Sequence, residues 1–171
     1  GAGFLTLRDA IGLASVEGSS NQTITFDPSL ANGTLQLNGS ALEIDDSANS
    51  LTIDGGALNL TLSGHGTSNI FTIDTGSTVE LDNLTITGGA ADNGAGISNS
   101  GTLSIVDSAI QGNTATTSGG GIENLAGGSL SITGSTISGN SGKYGAGIIN
   151  YGTVTISDSV IASNVGGIGG G

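Results

Sequence analysis

Three stretches decide the fold: Gly94-Ala95-Gly96-Ile97-Ser98-Asn99, Gly119-Gly120-Gly121-Ile122-Glu123-Asn124 and Gly145-Ala146-Gly147-Ile148-Ile149-Asn150. They align residue for residue, and Ile97, Ile122 and Ile148 are spaced 25 and 26 positions apart. A second block follows each one, Gly101–Ile105, Gly128–Ile132 and Gly152–Ile156. A third closes the unit, Ser108–Asn113, Ser135–Asn140 and Ser159–Asn164. Self-similarity at a fixed period of about 20–50 residues is the signature of a stacked repeat architecture. Within each block apolar and small polar residues alternate, the pattern of a strand with one buried face. Gly, Asn, Asp and Ser between blocks supply the turns.

Working outward, the same order runs upstream in weaker form. Ile70–Ile73, Thr78–Leu81 and Leu84–Ile86 fit one unit, and Ala41–Ile44, Leu51–Ile53 and Leu60–Leu62 fit another with a longer loop. Thr23–Phe26 and Thr34–Leu37 fit parts of a first, irregular coil. A hairpin meander would need two-residue primed turns and a two-strand period, which the repeat lacks. Parallel crossovers are almost always right-handed. The expectation is therefore an all-β, right-handed parallel β-helix of about six coils with three short strands per coil, neighbouring strands about 4.8 Å apart. One domain covers 1–171: an N-terminal cap over 1–20, coils over 21–165 and a Gly-rich tail over 166–171.

Composition agrees and narrows the class. Of 171 residues, 33 are glycine and one is proline, which excludes collagen, with its glycine at every third position and abundant proline. Hydrophobic residues reach 35% against 9% charged, too apolar for a charged disordered segment. With 3% aromatics, the interior must be small and aliphatic. Fourteen acids face only Arg8 and Lys143, a formal net charge of −12. Binding phosphates takes clustered Lys and Arg, so nucleic acid is excluded as a partner and anionic membrane surfaces are disfavoured. Twelve of the acids precede residue 108, and only Glu123 and Asp158 follow it. The absence of cysteine removes disulfides, thiolate chemistry and Cys-based zinc sites. No apolar run approaches the ~20 residues of a membrane span, so no membrane insertion by this segment is expected.

The alternation names the inward positions. Leu103 and Ile105, Leu130 and Ile132, Val154 and Ile156 should stack along the axis; Ile97, Ile122 and Ile148 form another column, and Ile110, Ile137 and Ile161 a third. Asn99, Asn124 and Asn150 fall two residues after an inward Ile, so they point inward or into a turn. Asn113, Asn140 and Asn164 make a second asparagine column, broken upstream by Gly89. Carboxamides stacked at one strand spacing can bond to each other and to turn carbonyls, so both columns read as structural ladders rather than sugar-binding groups. The outward neighbours are Thr78 and Glu80, Thr102 and Ser104, Ser129 and Ser131, Thr153 and Thr155, with Ser50 and Thr52 upstream. This flat Ser/Thr array is the sort of surface that ice-binding β-solenoids present. Glu80 interrupts it, serine removes methyls at several sites, and Ser and Thr are in any case good solvent-facing strand residues.

The N-terminus carries the only helical pattern, over residues 4–17. Leu7, Ala10, Ile11 and Ala14 recur at helical spacing. Thr6 reads as an N-cap with Asp9 reaching back to its amide, and Gly18 as a C-cap. Such a helix would cover the first coil and protect its open edge. Arg8 is expected to pair with Asp9, Glu17 or Asp27. Here a resemblance becomes specific. Leu5-Thr6-Leu7-Arg8-Asp9-Ala10-Ile11 resembles the CSLREAI-type motif that opens many large bacterial surface and secreted β-helix proteins, and Thr23–Leu30 resembles the ITFDPSL stretch that follows it. The repeats are similar to the same group and to those of polymorphic outer-membrane proteins. The similarity covers nearly the whole chain, with Leu5 standing where the motif usually has Cys. It implies a bacterial, extracellular right-handed β-helix, often one segment of a much larger protein, and no single activity.

Candidate chemistry is sparse. A polysaccharide lyase or hydrolase needs paired carboxylates, or acidic calcium ligands with a basic residue, on one groove. Asp45-Asp46 is the one adjacent acidic pair, Asp54, Asp74 and Asp82 are spread over strand ends, and Arg8 and Lys143 are the only strong bases. Sugar platforms use aromatics, of which only Phe4, Phe26, Phe71, Tyr144 and Tyr151 exist. His65, alone in a Gly-flanked loop, is a poor zinc ligand and reads as a solvated turn residue. Asp45 and Asp46, and Asp92 with Asn93, offer small oxygen-rich turns as surface calcium candidates, but neither recurs per coil. Gly119–Gly121 makes no phosphate loop, because no Lys-Ser/Thr follows. No enzyme activity and no cofactor other than such calcium are expected. The reading is a structural or adhesive extracellular segment, with alternatives in ice binding and in carbohydrate binding or degradation. Its partners are surface glycans and, along the axis, a further copy or the continuation of a larger β-helix.

Overall fold

A computed structural model describes residues 5–16 and 21–170. The chain winds as a β-solenoid whose strands all pair in parallel with their equivalents one coil away. Sheet I has six strands, Asn21–Thr25, Ser50–Asp54, Thr78–Asp82, Thr102–Val106, Ser129–Thr133 and Thr153–Ser157, and these define coils one to six. Sheet II also has six, Thr34–Gln36, Leu60–Ser63, Leu84–Thr87, Ala109–Gln111, Thr136–Ser138 and Val160–Ala162. Sheet III has five, Leu42–Ile44, Phe71–Ile73, Ile97–Asn99, Ile122–Asn124 and Ile148–Asn150. Successive sheets wrap one core.

A fourth sheet adds to the three strands expected per coil. Sheet IV comprises Ala90–Asn93, Thr114–Ser118, Ser141–Tyr144 and Val165–Ile168. Its strand Val165–Ile168 pairs with Ser141–Tyr144, so the Gly-rich segment read as a tail carries a strand in register with the coil before it. Ala90-Ala91-Asp92-Asn93 and Ser141-Gly142-Lys143-Tyr144 lack the alternation that marks a strand in sequence. Here the parallel neighbour imposes the extended backbone, the context dependence typical of β structure.

The interior is a set of columns, each one residue per coil. Leu51, Val79, Leu103, Leu130 and Val154 are in register, as are Ile24, Ile53, Leu81, Ile105, Ile132 and Ile156. Sheet II contributes Leu35, Leu62, Ile86, Ile110, Ile137 and Ile161. Sheet III contributes Leu42, Phe71, Ile97, Ile122 and Ile148. From the second coil to the fifth these side chains are buried, with Ile53, Leu81, Ile105 and Ile132 wholly inaccessible. At about 25 cal/mol per Å² of apolar surface, each such side chain contributes roughly 1.5–3 kcal/mol.

One corner shows how local sequence closes the coil. Between sheets I and II, Asn32, Asn59, Asn83, Asp107, Gly134 and Asp158 lie in register, all with positive φ between 44° and 63°. Left-handed backbone is tolerated by Asn and Asp and is free for Gly, so the column admits little else. Asn59 Nδ2 donates to Asn32 Oδ1 along it at 3.2 Å.

The helix spans Leu7–Val16, inside the expected 4–17. Thr6 and Asp9 form a reciprocal capping box: the Asp9 amide donates to Thr6 Oγ1 (3.1 Å) and the Thr6 amide to Asp9 Oδ2 (3.2 Å). The Thr6 hydroxyl also donates to Asp9 Oδ2 (2.7 Å), and this bond with that of the Thr6 amide holds the Asp9 carboxyl below its usual range, with nearby Arg8 adding to the effect. The expected C-cap, Gly18, lies outside the described residues, as do Phe4 and Glu17. Leu7 and Ile11 are buried in the core, beside Leu42 and Ile44. Of the expected ion pairs of Arg8, those with Asp9 and Asp27 do not form, and Glu17 lies outside the described residues. The Arg8 guanidinium donates instead to the carbonyls of Ser40 and Ala41, both at 2.6 Å. Carbonyls where a strand begins have no ladder partner beneath them, and a planar fork of donors fits two at once.

Ile132 therefore sits between Ile105 and Ile156 with no route to water. Ile132→Asp should bury an unpaired carboxylate and cost several kcal/mol, while Ser131→Asp, exposed on the outward face, should stay within ~0.5 kcal/mol. Thermal or urea melts of the two variants check this, and equal melts would contradict the inward assignment.

Candidate functional site

Three polar ladders run inside the last three coils. In sheet III the inward column changes from Ile44 and Ile73 to Asn99, Asn124 and Asn150. Asn99 Nδ2 donates to Asn124 Oδ1 at 2.7 Å, and Asn124 Nδ2 to Asn150 Oδ1 at 2.6 Å. The same amides reach the carbonyls of Ser129 (3.2 Å) and Thr153 (2.9 Å) in the following coil. Asn113, Asn140 and Asn164 form the second ladder, each Nδ2 donating to the next Oδ1 at 3.0 Å. Each Oδ1 also accepts the backbone amide one coil earlier, and at the break the Gly89 amide donates to Asn113 at 2.9 Å.

The third ladder is serine, and sequence reasoning missed it. The amides of Leu84, Ser108 and Ser135 donate to the hydroxyls of Ser108, Ser135 and Ser159 at 3.0, 3.1 and 3.0 Å. Each hydroxyl in turn donates to the carbonyl two residues earlier, at 2.7 to 2.9 Å. The available signal was the invariant spacing of Ser two residues before an inward Ile in all three repeats. Among the described residues no buried side-chain polar atom lacks a partner, as a closed interior requires.

The outward face of sheet I is a regular array. Asn21, Ser50, Thr78, Thr102, Ser129 and Thr153 form one column, and Thr23, Thr52, Glu80, Ser104, Ser131 and Thr155 the next. A third column reads Thr25, Asp54, Asp82, Val106, Thr133 and Ser157. Carboxylates therefore enter the array at Asp54, Glu80 and Asp82. Burial pushes the Asp82 carboxyl above its usual range, helped by repulsion from Asp54, Glu80 and Asp107.

The calcium candidates stay apart and make other contacts. Asp46 accepts from the amides of Ala48 (2.9 Å) and Asn49 (3.2 Å) and from the Asn49 side chain (2.9 Å), which lowers its pKa. Asp45 is exposed beside it. Asp92 accepts from Thr116 Oγ1 at 2.6 Å, and Asn93 from Ser118 Oγ at 2.7 Å. Among the described residues no three His, Cys, Asp or Glu side chains gather. His65 is exposed in its turn at φ 55°. A cleft of 490 Å³ opens between the helix and the first coil, lined by apolar groups including Leu7, Ile24, Phe26, Leu35 and Leu42, with Arg8 at its margin. No helix is long and apolar enough to cross a membrane among the described residues.

Glu123 departs from the alternation rule. It points away from the inward column yet is only 8% exposed, because the corner at Gly119 folds over its stem. Ser118 Oγ donates to its carboxylate at 3.3 Å. Burial raises its pKa, and that hydrogen bond opposes the shift only in part. Comparison with family models, curated proteins and solved structures finds no match.

Two expectations follow from this geometry. Asn124→Ala removes the central rung and strands buried partners on both sides, so about 1–3 kcal/mol should be lost, read from the melting transition. Glu123 contributes stability that is present below the unfolded carboxyl pKa and lost as pH rises through its raised folded value. Glu123→Gln should then raise the melting temperature at pH 7 and make no difference in acid. An unchanged or lowered value at pH 7 would contradict the buried-charge assignment.

Proposed function

We propose that this chain is a non-catalytic structural or adhesive segment of a bacterial secreted or surface protein. It acts as a rod that holds side-chain arrays at fixed spacing and continues axially into further β-helix, from a longer chain or a second copy. The observation that carries this reading is the unbroken register of sheet I through six coils over an interior in which buried polar side chains are satisfied. Such a body resists bending, because backbone ladders run from coil to coil on every side of a filled aliphatic core. The likeness of residues 5–11 and of the repeats to bacterial surface β-helix proteins supports the extracellular setting. Surface glycans are the ligand class that a hydroxyl-rich face with interspersed carboxylates suits, through hydrogen bonds to sugar hydroxyls.

The strict register of the Thr and Ser columns also favours a second reading, ice binding by the same face. Against it, Asp54, Glu80 and Asp82 bring charge into the array, where methyl-bearing Thr would be wanted. Thermal hysteresis in the purified chain would establish the second reading.

The first is tested by mass-resolved chromatography with electron microscopy. Elongated particles of about 29 Å per chain, six strand spacings of about 4.8 Å, should appear and extend end to end as concentration rises. Compact particles that stay monomeric at high concentration would count against it, and product release from a polysaccharide panel would restore an enzymatic role.

A further inference from the structure

We infer that Asn38 is a covalent self-modification site: it loses its carboxamide nitrogen to attack by the Gly39 backbone nitrogen, while the fold holds the equivalent pairs elsewhere in the chain unreactive. The chemistry needs a side-chain carbonyl followed by a backbone amide that is free to turn on it. Glycine in the second position leaves no Cβ in the way. Four places qualify in sequence: Asn32-Gly33, Asn38-Gly39, Asn93-Gly94 and, with a carboxyl in place of the carboxamide, Asp54-Gly55.

At three of them the attacking amide is already committed. The Gly33 amide donates to the Leu30 carbonyl at 2.8 Å, that of Gly55 to Asp82 at 2.9 Å and that of Gly94 to Ser118 at 3.0 Å. Their side chains are held as well. Asn32 Oδ1 accepts from Asn59 Nδ2 at 3.2 Å, Asn93 Oδ1 from Ser118 Oγ at 2.7 Å and Asp54 Oδ1 from the Gly56 amide at 2.6 Å. Attack at any of these sites requires the coil to open first, and only a small fraction of molecules is open at a time.

Asn38 and Gly39 lie in the first coil, in the loop from sheet II to sheet III, and differ on each count. The loop is pinned at both ends, where the amides of Leu37 and Leu42 donate to the carbonyls of Ser63 and Ile70, both at 2.8 Å. Its carbonyls are also taken: Ser68 Oγ donates to Gly39 at 3.0 Å, and Arg8 holds those of Ser40 and Ala41. The Gly39 amide and the Asn38 carboxamide have no partner among the described residues, and both residues are exposed to water.

Once base removes the Gly39 amide proton, its nitrogen bonds to Asn38 Cγ. The Cγ–Nδ2 bond breaks, and Nδ2 leaves as ammonia with a proton taken from water. Water then opens the cyclic imide at one of its two carbonyls. Opening at Cγ restores the main chain with aspartate, and opening at the former main-chain carbonyl leaves an isoaspartyl residue whose main chain runs through Cγ. Asparagine and water thus give a carboxylic acid and ammonia, with no oxidant or cofactor. Either product adds a negative charge to the cleft that Arg8 and Asn38 both line, in the loop whose carbonyls that arginine holds.

The test incubates the full chain in warm, mildly alkaline buffer and follows each Asn-Gly pair by peptide mass spectrometry, a gain of about 1 Da marking conversion. Asn38 should convert at least about tenfold faster than Asn32 and Asn93, because theirs are the amides that must first be released. Aspartyl and isoaspartyl peptides should both appear. In urea that unfolds the chain, the three pairs should convert at similar rates, and Asn38→Gln should abolish the early gain in the folded protein. Equal rates at the three pairs in the folded chain overturn the inference, as does a lead of Asn38 that persists undiminished in urea. An early gain that survives Asn38→Gln, or an Asn38 that stays intact while the unfolded chain reacts, overturns it too.

Discussion

Each interior position in this rod lies one strand spacing from its equivalents in the coils above and below, so a side chain must be compatible with copies of itself. That constraint selects the residues. Aliphatic side chains meet it by dispersion contact and burial, which is why leucine, isoleucine and valine fill the columns. A larger side chain fits where its neighbours are smaller, as for Phe71 between Leu42 and Ile97. Among polar side chains, a carboxamide has both a donor and an acceptor and can bond to an identical group on either side. A carboxylate has acceptors only and repels its copy. Asparagine therefore stands in the interior, and the acids lie outside it. Where two acids do fall in register, at Asp54 and Asp82, burial and then the neighbouring Asp54 push the carboxyl of Asp82 toward its neutral form.

The same logic sets what was legible in the sequence. Inward positions followed from alternation, because a repeat states each column several times over. The asparagine ladders followed from repetition at one offset, and the capping box from the Thr6 and Asp9 spacing. Sheet IV did not, because Ala90–Asn93 and Ser141–Tyr144 take extended backbone from pairing rather than from their own pattern. The serine ladder was hidden because its bond runs from a backbone amide in one coil to a hydroxyl in the next. Its serines resemble ordinary turn residues. Arg8 found carbonyls more than 30 positions away, which no local pattern encodes, and Glu123 is covered by a corner that only the folded coil creates.

Burial and charge divide the rod into two unlike halves. The first three coils have aliphatic columns inside, hold most of the acids and end on the helix. Like charge on that half opposes lateral contact. The last three coils carry the polar ladders and little charge. The ladders begin abruptly, each with a backbone amide supplying the first donor: Gly101 to Asn99, Gly89 to Asn113 and Leu84 to Ser108.

That beginning closes each ladder on its N-terminal side. A first rung that accepts a backbone amide needs no asparagine or serine in the coil before it, so aliphatic columns can run directly into polar ones. From rung to rung the bonds run one way, from an Asn Nδ2 or a Ser amide to the oxygen one coil on. An aliphatic column has no such direction, because dispersion contact is the same from either side. The polar ladders thus give the last three coils an internal hydrogen-bond polarity that the aliphatic columns of the first three lack.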